Sequence, residues 1–206
     1  MSDTGPIRLL LAEDEHLIRG ALAALLALED DMELVAEAAS GDEALAMARK
    51  HRPDIALLDL QMPGIDGIAA AEALTVDVPG CRAVIVTSHG RAGYLKRALA
   101  AGVRGFLPKT ASASVLAEAV RTVHGGGRYV DPELAAEAIS EGDSPLTPRE
   151  ADILELAASG APVDEIAERV SLSPGTVRNH LSAAAQKLGT SNRYEAVQVA
   201  QRHGWI

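Results

Sequence analysis

The sequence predicts a doubly wound α/β domain with a parallel sheet, followed by a small all-helical domain. Three observations carry that prediction. Short apolar runs of strand length alternate with segments of helical periodicity through the first 125 residues. Polar residues stand at the carboxyl ends of those runs, which is where such sheets gather their ligand groups. From residue 145 onward the pattern is helical alone, with start and stop signals that can be read residue by residue.

The first run, residues 7–12, ends at Glu13 and Asp14. Behind it Leu17, Ala21, Leu22, Leu25, Leu26 and Leu28 form a helical stripe. Residues 34–38 predict a second strand and 42–49 a second helix. The run 55–58 ends at Asp59 and passes into Gln61-Met62-Pro63-Gly64, whose proline and glycine stop it abruptly. Residues 83–86 end at Thr87, and residues 105–107 lead to Lys109. Further helices are expected over 67–74, 92–101 and 112–123. Five strands and five helices in alternation predict a flavodoxin-like, doubly wound, five-stranded parallel domain over residues 1–125.

Gly125-Gly126-Gly127 closes that domain. Residues 126–144 read as a linker with one short helix, opened by Asp131 and Pro132. Residues 145–206 then predict four helices. Thr147-Pro148-Arg149-Glu150 is a capping box with proline at the first helical position. Pro162 opens the second helix, and Ser173 with Pro174 opens the third, which Gly189 ends. Asn192 and Glu195 cap the fourth. Residues 171–173 join the second and third helices with the turn length of a helix-turn-helix.

Composition narrows the classes. The chain is 48% apolar but only 2% aromatic, so its cores are built from aliphatic residues and alanine. One cysteine, Cys81, excludes an internal disulfide framework and a zinc motif. No apolar stretch reaches the roughly 18 residues of a membrane span, and no basic n-region stands before one. A cytoplasmic protein with no membrane partner is expected. The formal net charge of −10 is uneven. Within residues 171–206, Arg178, Lys187, Arg193 and Arg202 face only Glu195, so that segment is basic in an acidic chain.

The parallel sheet brings Glu13, Asp14, Asp59, Thr87 and Lys109 to one pocket. Three crowded carboxylates repel unless a hard divalent cation joins them, and oxygen ligands of this kind suit Mg²⁺. The ammonium and hydroxyl can then receive an anionic second ligand such as a phosphoryl group. A phosphatase with an aspartate nucleophile would need a second aspartate two residues on as general acid. Gln61 stands there and cannot move a proton, so a turnover enzyme is not expected.

Residues 7–124 resemble the receiver domain of bacterial response regulators, through Glu13-Asp14, Asp59 with Met62-Pro63-Gly64, Thr87-Ser88 and Lys109. The resemblance implies that Asp59 accepts a phosphoryl group from a sensor histidine kinase. It implies Mg²⁺ held by Asp14, Asp59 and the backbone carbonyl of Gln61, with Glu13 acting through water. Lys109 would pair with one phosphoryl oxygen and Thr87 would bond another. Phe106 stands where receivers keep a switch aromatic, an ordinary core ring being the alternative. Thr110 replaces the proline that often follows the lysine.

Residues 144–206 resemble the LuxR-type helix-turn-helix of NarL/FixJ response regulators. The match rests on Leu146 to Glu150, Ile166-Ala167, Leu172-Ser173, Thr176 to His180, Lys187-Leu188 and Arg193. It implies that the helix over 174–188 enters the major groove of double-stranded DNA. Ser173, Thr176, Arg178, Asn179, Ser182 and Lys187 are the candidate contacts. Arg178 and Asn179 could read bases or touch phosphate, and Lys187 is expected on the backbone. His89 and His180 lack the neighbours of a metal site, and His16, just after the acidic pair, is expected in solvent, with the pocket rim as its alternative. Residues 28–32, Gly93-Tyr94 and 175–179 resemble the DesR-type branch, which implies a homodimer on phosphorylation through the first and fifth helices, with the face of the fourth helix as the rival surface. The competing reading is a phosphorylation-independent DNA-binding protein whose receiver is a fixed interaction module.

Overall fold

The structure, a computed structural model, describes residues 5–88, 92–140, 144–203 and 205–206. The chain divides into two units, the first made of residues up to 90 and Tyr94–Ala135, the second of Ala136–Ile206 together with the short stretch 91–93.

In the first unit strands and helices alternate as the sequence requires. They are β1 (Ile7–Ala12), α1 (His16–Leu26), β2 (Met32–Ala38), α2 (Gly41–His51), β3 (Ile55–Leu58), α3 (Gly67–Asp77), β4 (Arg82–Thr87), α4 (Ala92–Ala100), β5 (Gly105–Pro108) and α5 (Ala113–His124). The sheet order is β2-β1-β3-β4-β5 with a further strand, β6 (Tyr129–Val130), beyond β5, every pair parallel. The expected five strands are therefore six among the described residues. Tyr129–Val130, inside the segment read as linker, forms β6 beside β5. Two residues are too short for periodicity to reveal. They are held because Tyr129 N–H donates to the Arg104 carbonyl at 2.9 Å and Asp131 N–H to the Phe106 carbonyl at 3.0 Å.

Both sheet faces are covered, which explains why the strands read as continuous apolar runs. Leu9, Leu11, Ile55, Leu57, Val84, Val86 and Leu107 pack with Leu116, Val120 and Val123 of α5. Their strand neighbours Leu10, Leu58, Ile85 and Phe106 point the other way and are equally buried. Register places Ala12 opposite Leu58, and Leu58 opposite Ile85. The polar residues following these strands are thereby aligned along one edge.

The stripe on α1 is only partly a core stripe. Leu26 is buried and Leu22 packs against the core, but Leu17 is 84% exposed and Leu28 77%. Leu17 and Leu26 lie nine residues apart, about two and a half turns, and so face opposite ways. Leu28 falls beyond the helix end at Ala27.

Residues 132–140 form α6 (Pro132–Ser140), the helix expected in the linker. The second unit then carries α7 (Pro148–Ala158), α8 (Val163–Arg169), α9 (Pro174–Lys187) and α10 (Arg193–Arg202). Its caps are the ones the sequence announces. Thr147 and Glu150 form both bonds of a capping box. Ser173 Oγ accepts from the Thr176 N–H, and Asn192 from those of Tyr194 and Glu195. Glu195 turns back to the Ser191 N–H at 3.0 Å and hydroxyl at 2.8 Å. After α8 the chain reverses at Ser171, a non-glycine residue at φ 53°, closed by the Leu172 N–H on the Ala167 carbonyl at 2.9 Å. Ile153, Leu154, Ile166, Val177, Leu181, Ala184, Ala196 and Ala200 make the core of this unit. At its end the single tryptophan, Trp205, stacks on His203 with centroids 4.6 Å apart. Among the described residues no helix is long and apolar enough to cross a membrane.

Candidate functional site

Each group in the first unit's pocket is delivered by a strand end. β1 hands over Glu13 and Asp14, β3 Asp59, β4 Thr87 and β5 Lys109. Glu13 N–H bonds the Ala38 carbonyl at 3.0 Å and Asp59 N–H the Ala12 carbonyl at 2.8 Å, so both remain on the sheet ladder. Lys109 N–H donates to the Thr87 carbonyl at 2.8 Å. Carboxylate oxygens of Glu13, Asp14 and Asp59 all lie within 4.8 Å of one another. Lys109 Nζ sits 2.7 Å from Glu13 Oε2 and 3.1 Å from Asp59 Oδ2. Asp59 Oδ1 accepts the Leu60 N–H at 2.7 Å. The cavity holds about 270 Å³ and is lined by Asp14, Glu15, Asp59, Gln61, Ser88 and Lys109.

Glu13 and Asp59 are buried while Asp14 is exposed, so the cluster opens to solvent on one side. Burial pushes the Asp59 carboxyl above its ordinary value, against the pull of Lys109. Burial also raises Glu13, Lys109 works against it, and Asp59 adds repulsion. Burial opposes charge on Lys109, but Glu13 and Asp59 outweigh it and its pKa is raised. One ammonium does not neutralise three carboxylates. An all-oxygen donor set, close-spaced and short of positive charge, fits a hard divalent cation such as Mg²⁺.

Two residues that sequence reasoning missed support this pocket. Glu15 adds a fourth carboxylate at the rim, with Oε1 4.0 Å from Lys109 Nζ and its N–H on Glu13 Oε1 at 3.2 Å. The consecutive Glu13-Asp14-Glu15 was the available signal. Arg19 on α1 donates to the Glu13 carbonyl at 2.5 Å and pairs with Glu37 at 3.6 Å, pinning the acidic loop from behind. Nothing local in the sequence marks that contact. Gly67 matters as well. A Cβ there would lie 2.1 Å from the Asp59 carbonyl oxygen, so only glycine lets α3 start against the Asp59 loop.

Of the other candidates, Thr87 is buried at the end of β4, and it is its neighbour Ser88 that lines the cavity. Phe106 is fully buried in β5 and does not line the cavity. His16 is exposed at the start of α1, and His89 lies outside the described residues.

On α9, Arg178, Asn179 and Ser182 are exposed, and Thr176 is half-buried with its hydroxyl 2.8 Å from that of Ser173. Val177 and Leu181 are core, Leu188 packs against it, and His180 is half-buried. Lys187 is exposed at the end of α9 but carries a partner that the sequence did not suggest. Its Nζ lies 2.7 Å from Glu150 Oε2 on α7, inside the unit.

A transcriptional regulator of the two-component type is what this fold and these two sites define. Residues 9–121 match the response regulator receiver domain, and residues 144–200 match the bacterial regulatory proteins of the luxR family. The chain belongs to the NarL/FixJ response regulators, a family of DNA-binding transcription regulators rather than enzymes. It is 43% identical to the transcriptional regulatory protein DesR of Bacillus subtilis, over 97% of this chain and 99% of that one. To the transcriptional regulatory protein UhpA of Escherichia coli it is 38% identical, over 97% and 100%. Among solved structures, the response regulator ChrA of a heme-sensing two-component system aligns with a TM-score of 0.59 at 32% identity, covering 98% of this chain and all of that one.

Proposed function

We propose that Asp59 is the phosphoacceptor of this regulator and that its phosphorylation by a sensor histidine kinase promotes dimerisation and DNA binding. The observation that carries this reading is the convergence of three carboxylates within 4.8 Å of one another, two of them paired with a single lysine. In the transfer an Asp59 oxygen attacks phosphorus, the bond from phosphorus to the donor's imidazole nitrogen breaks, and an acyl phosphate forms. Asp14, Asp59 and the Gln61 carbonyl would hold Mg²⁺, with Glu13 acting through water. The metal supplies charge neutralisation for the incoming oxygens. Lys109, now shared between Glu13 and Asp59, turns to a phosphoryl oxygen, and Thr87 hydrogen-bonds another. Phe106 would report the change by packing, since it has no hydroxyl.

The new charge can shift the receiver between two packings only by favouring one of them. The exposed Leu17 and Leu25 of α1, with Leu28 beyond its end, supply apolar area for a self-complementary surface shared with α5. Ser173, Thr176, Arg178, Asn179 and Ser182 would meet DNA from α9.

Incubating the protein with Mg²⁺ and acetyl phosphate, then weighing it intact and sizing it by ultracentrifugation, tests the reading. One phosphoryl group and a heavier species are expected, and neither in Asp59→Asn. A wild type that gains no phosphate yet binds DNA tightly would favour the fixed-module reading instead.

A further inference from the structure

We infer that Lys187 positions the recognition helix through Glu150, and that Arg193 is the cation that takes a DNA phosphate, in the cleft between α9 and the start of α10. The inference rests on the reading that this unit binds DNA and assigns roles within it.

Lys187 is occupied. Its ammonium lies 2.7 Å from Glu150 Oε2, the same oxygen that accepts the Thr147 N–H at 2.7 Å. Glu150 is 5% exposed. Burial works against its charge, but Lys187 and the Thr147 donors outweigh it and hold the carboxyl below its ordinary value. Withdrawing Lys187 toward a phosphate would strand a buried carboxylate, which is strongly unfavourable. The pair instead ties the last turn of α9 to the first turn of α7, which bears on how α9 is aimed.

Arg193 is in the opposite situation. It makes no ion pair among the described residues. Its guanidinium is held 4.9 Å over the Tyr194 ring and donates to the Tyr194 hydroxyl at 3.0 Å. These contacts restrain its position while leaving its charge unmatched. It lines a cleft of about 580 Å³ together with Arg178, Ser182 and Asn192. The Arg178 side chain makes no hydrogen bond or ion pair among the described residues either. Glu195, the one acidic residue of this segment, is turned back onto Ser191. Two unmatched guanidinium groups and a hydroxyl around one open cleft suit a phosphodiester, since arginine's fork geometry matches phosphate oxygens.

Because backbone contacts are blind to sequence, full-length protein and a mixed-sequence duplex suffice for the test. Affinity is measured between about 50 and 200 mM salt, where each phosphate contact contributes close to one unit of log–log slope, or about a 3.5-fold loss across that range. Arg193→Gln should reduce the slope by about one. Lys187→Gln should leave the slope unchanged while lowering the melting temperature. Glu150→Gln should lower it too, and the double variant should lose less than the sum of the two. A slope that drops in Lys187→Gln, or stays put in Arg193→Gln, overturns the assignment. If the wild type bound no duplex even at low salt, the DNA reading and the phosphate role would both fall. The Lys187–Glu150 pairing would still be decided by the thermal cycle alone, where strict additivity would reject it.

Discussion

Each unit has a lysine paired with a buried glutamate at 2.7 Å, yet the two pairs mean different things. Lys187 meets one carboxylate, and that carboxylate is completed by a backbone N–H. Charge is balanced and the group is finished. Lys109 meets Glu13 and Asp59, with Asp14 and Glu15 at the edge of the same pocket. Charge there is in excess and the pocket is open on the Asp14 side. The carboxyl values follow the contrast, lowered at Glu150 and raised at Glu13 and Asp59. An ion pair alone is thus a poor marker of function; an ion pair short of positive charge is a good one.

The largest effect should come from removing that excess. Asp59→Asn should abolish phosphoryl incorporation, read by intact mass, and most of the rise in melting temperature that Mg²⁺ gives the wild type. Asp14→Ala should weaken Mg²⁺ sharply and Glu13→Gln less. The pH dependence has a definite sign. A buried carboxyl with a raised value favours the fold at low pH and loses that contribution as pH rises through the raised value. Mg²⁺ should therefore stabilise the protein more at neutral pH than in the ordinary carboxyl range. Equal Mg²⁺ shifts at both would contradict the charge argument.

Gly67→Ala should come next. Its Cβ collides with the Asp59 carbonyl, and overpacking of this kind costs about 1–3 kcal/mol. Slower phosphorylation should accompany the lost stability in a chemical-denaturation series, because the displaced atom belongs to the acceptor residue. Normal kinetics in the variant would detach Gly67 from the site.

Glu150→Gln is expected to destabilise the second unit by about 1–2 kcal/mol, the lower part of the range for charged hydrogen bonds because Lys187 is 38% exposed. The native pair stabilises above the ordinary carboxyl value and loses its effect as pH falls through the lowered one. The variant should lack that acid-side decline in a pH series of melting curves. Phosphorylation of Asp59 should be untouched, which separates the two pairs.

Ser171→Gly should be the smallest effect and opposite in sign. A left-handed residue other than glycine is strained, and relieving it should add up to about 1 kcal/mol. Calorimetry resolves a change of that size. A decrease would mean the serine side chain contributes something its φ conceals.

Most of the pocket was legible because strand ends announce themselves: an apolar run followed by Asp59 or Lys109 places the side chain without further information. The helix caps of the second unit were legible for the same local reason, from Thr147 to Asn192. What escaped was decided by tertiary contact. Lys187 reads as an unpaired cation until α7 supplies Glu150 from 37 positions upstream. Arg19 reaches the Glu13 carbonyl only because α1 folds back over β1. The two residues of β6 carry no periodicity and exist by pairing with β5. Leu17 and Leu28 match an apolar stripe that the real helix phase and length do not keep.

Trp205 is the only tryptophan of the chain, and it belongs to the second unit. Indole emission therefore watches that unit alone in the intact, unlabelled protein, because the receiver has no indole of its own. Its melting can be followed separately from that of the α/β unit without cutting the chain. A change in that emission when Mg²⁺ or acetyl phosphate is added would have to be transmitted from one unit to the other. The sequence thus carries a built-in optical probe for whether the two units communicate.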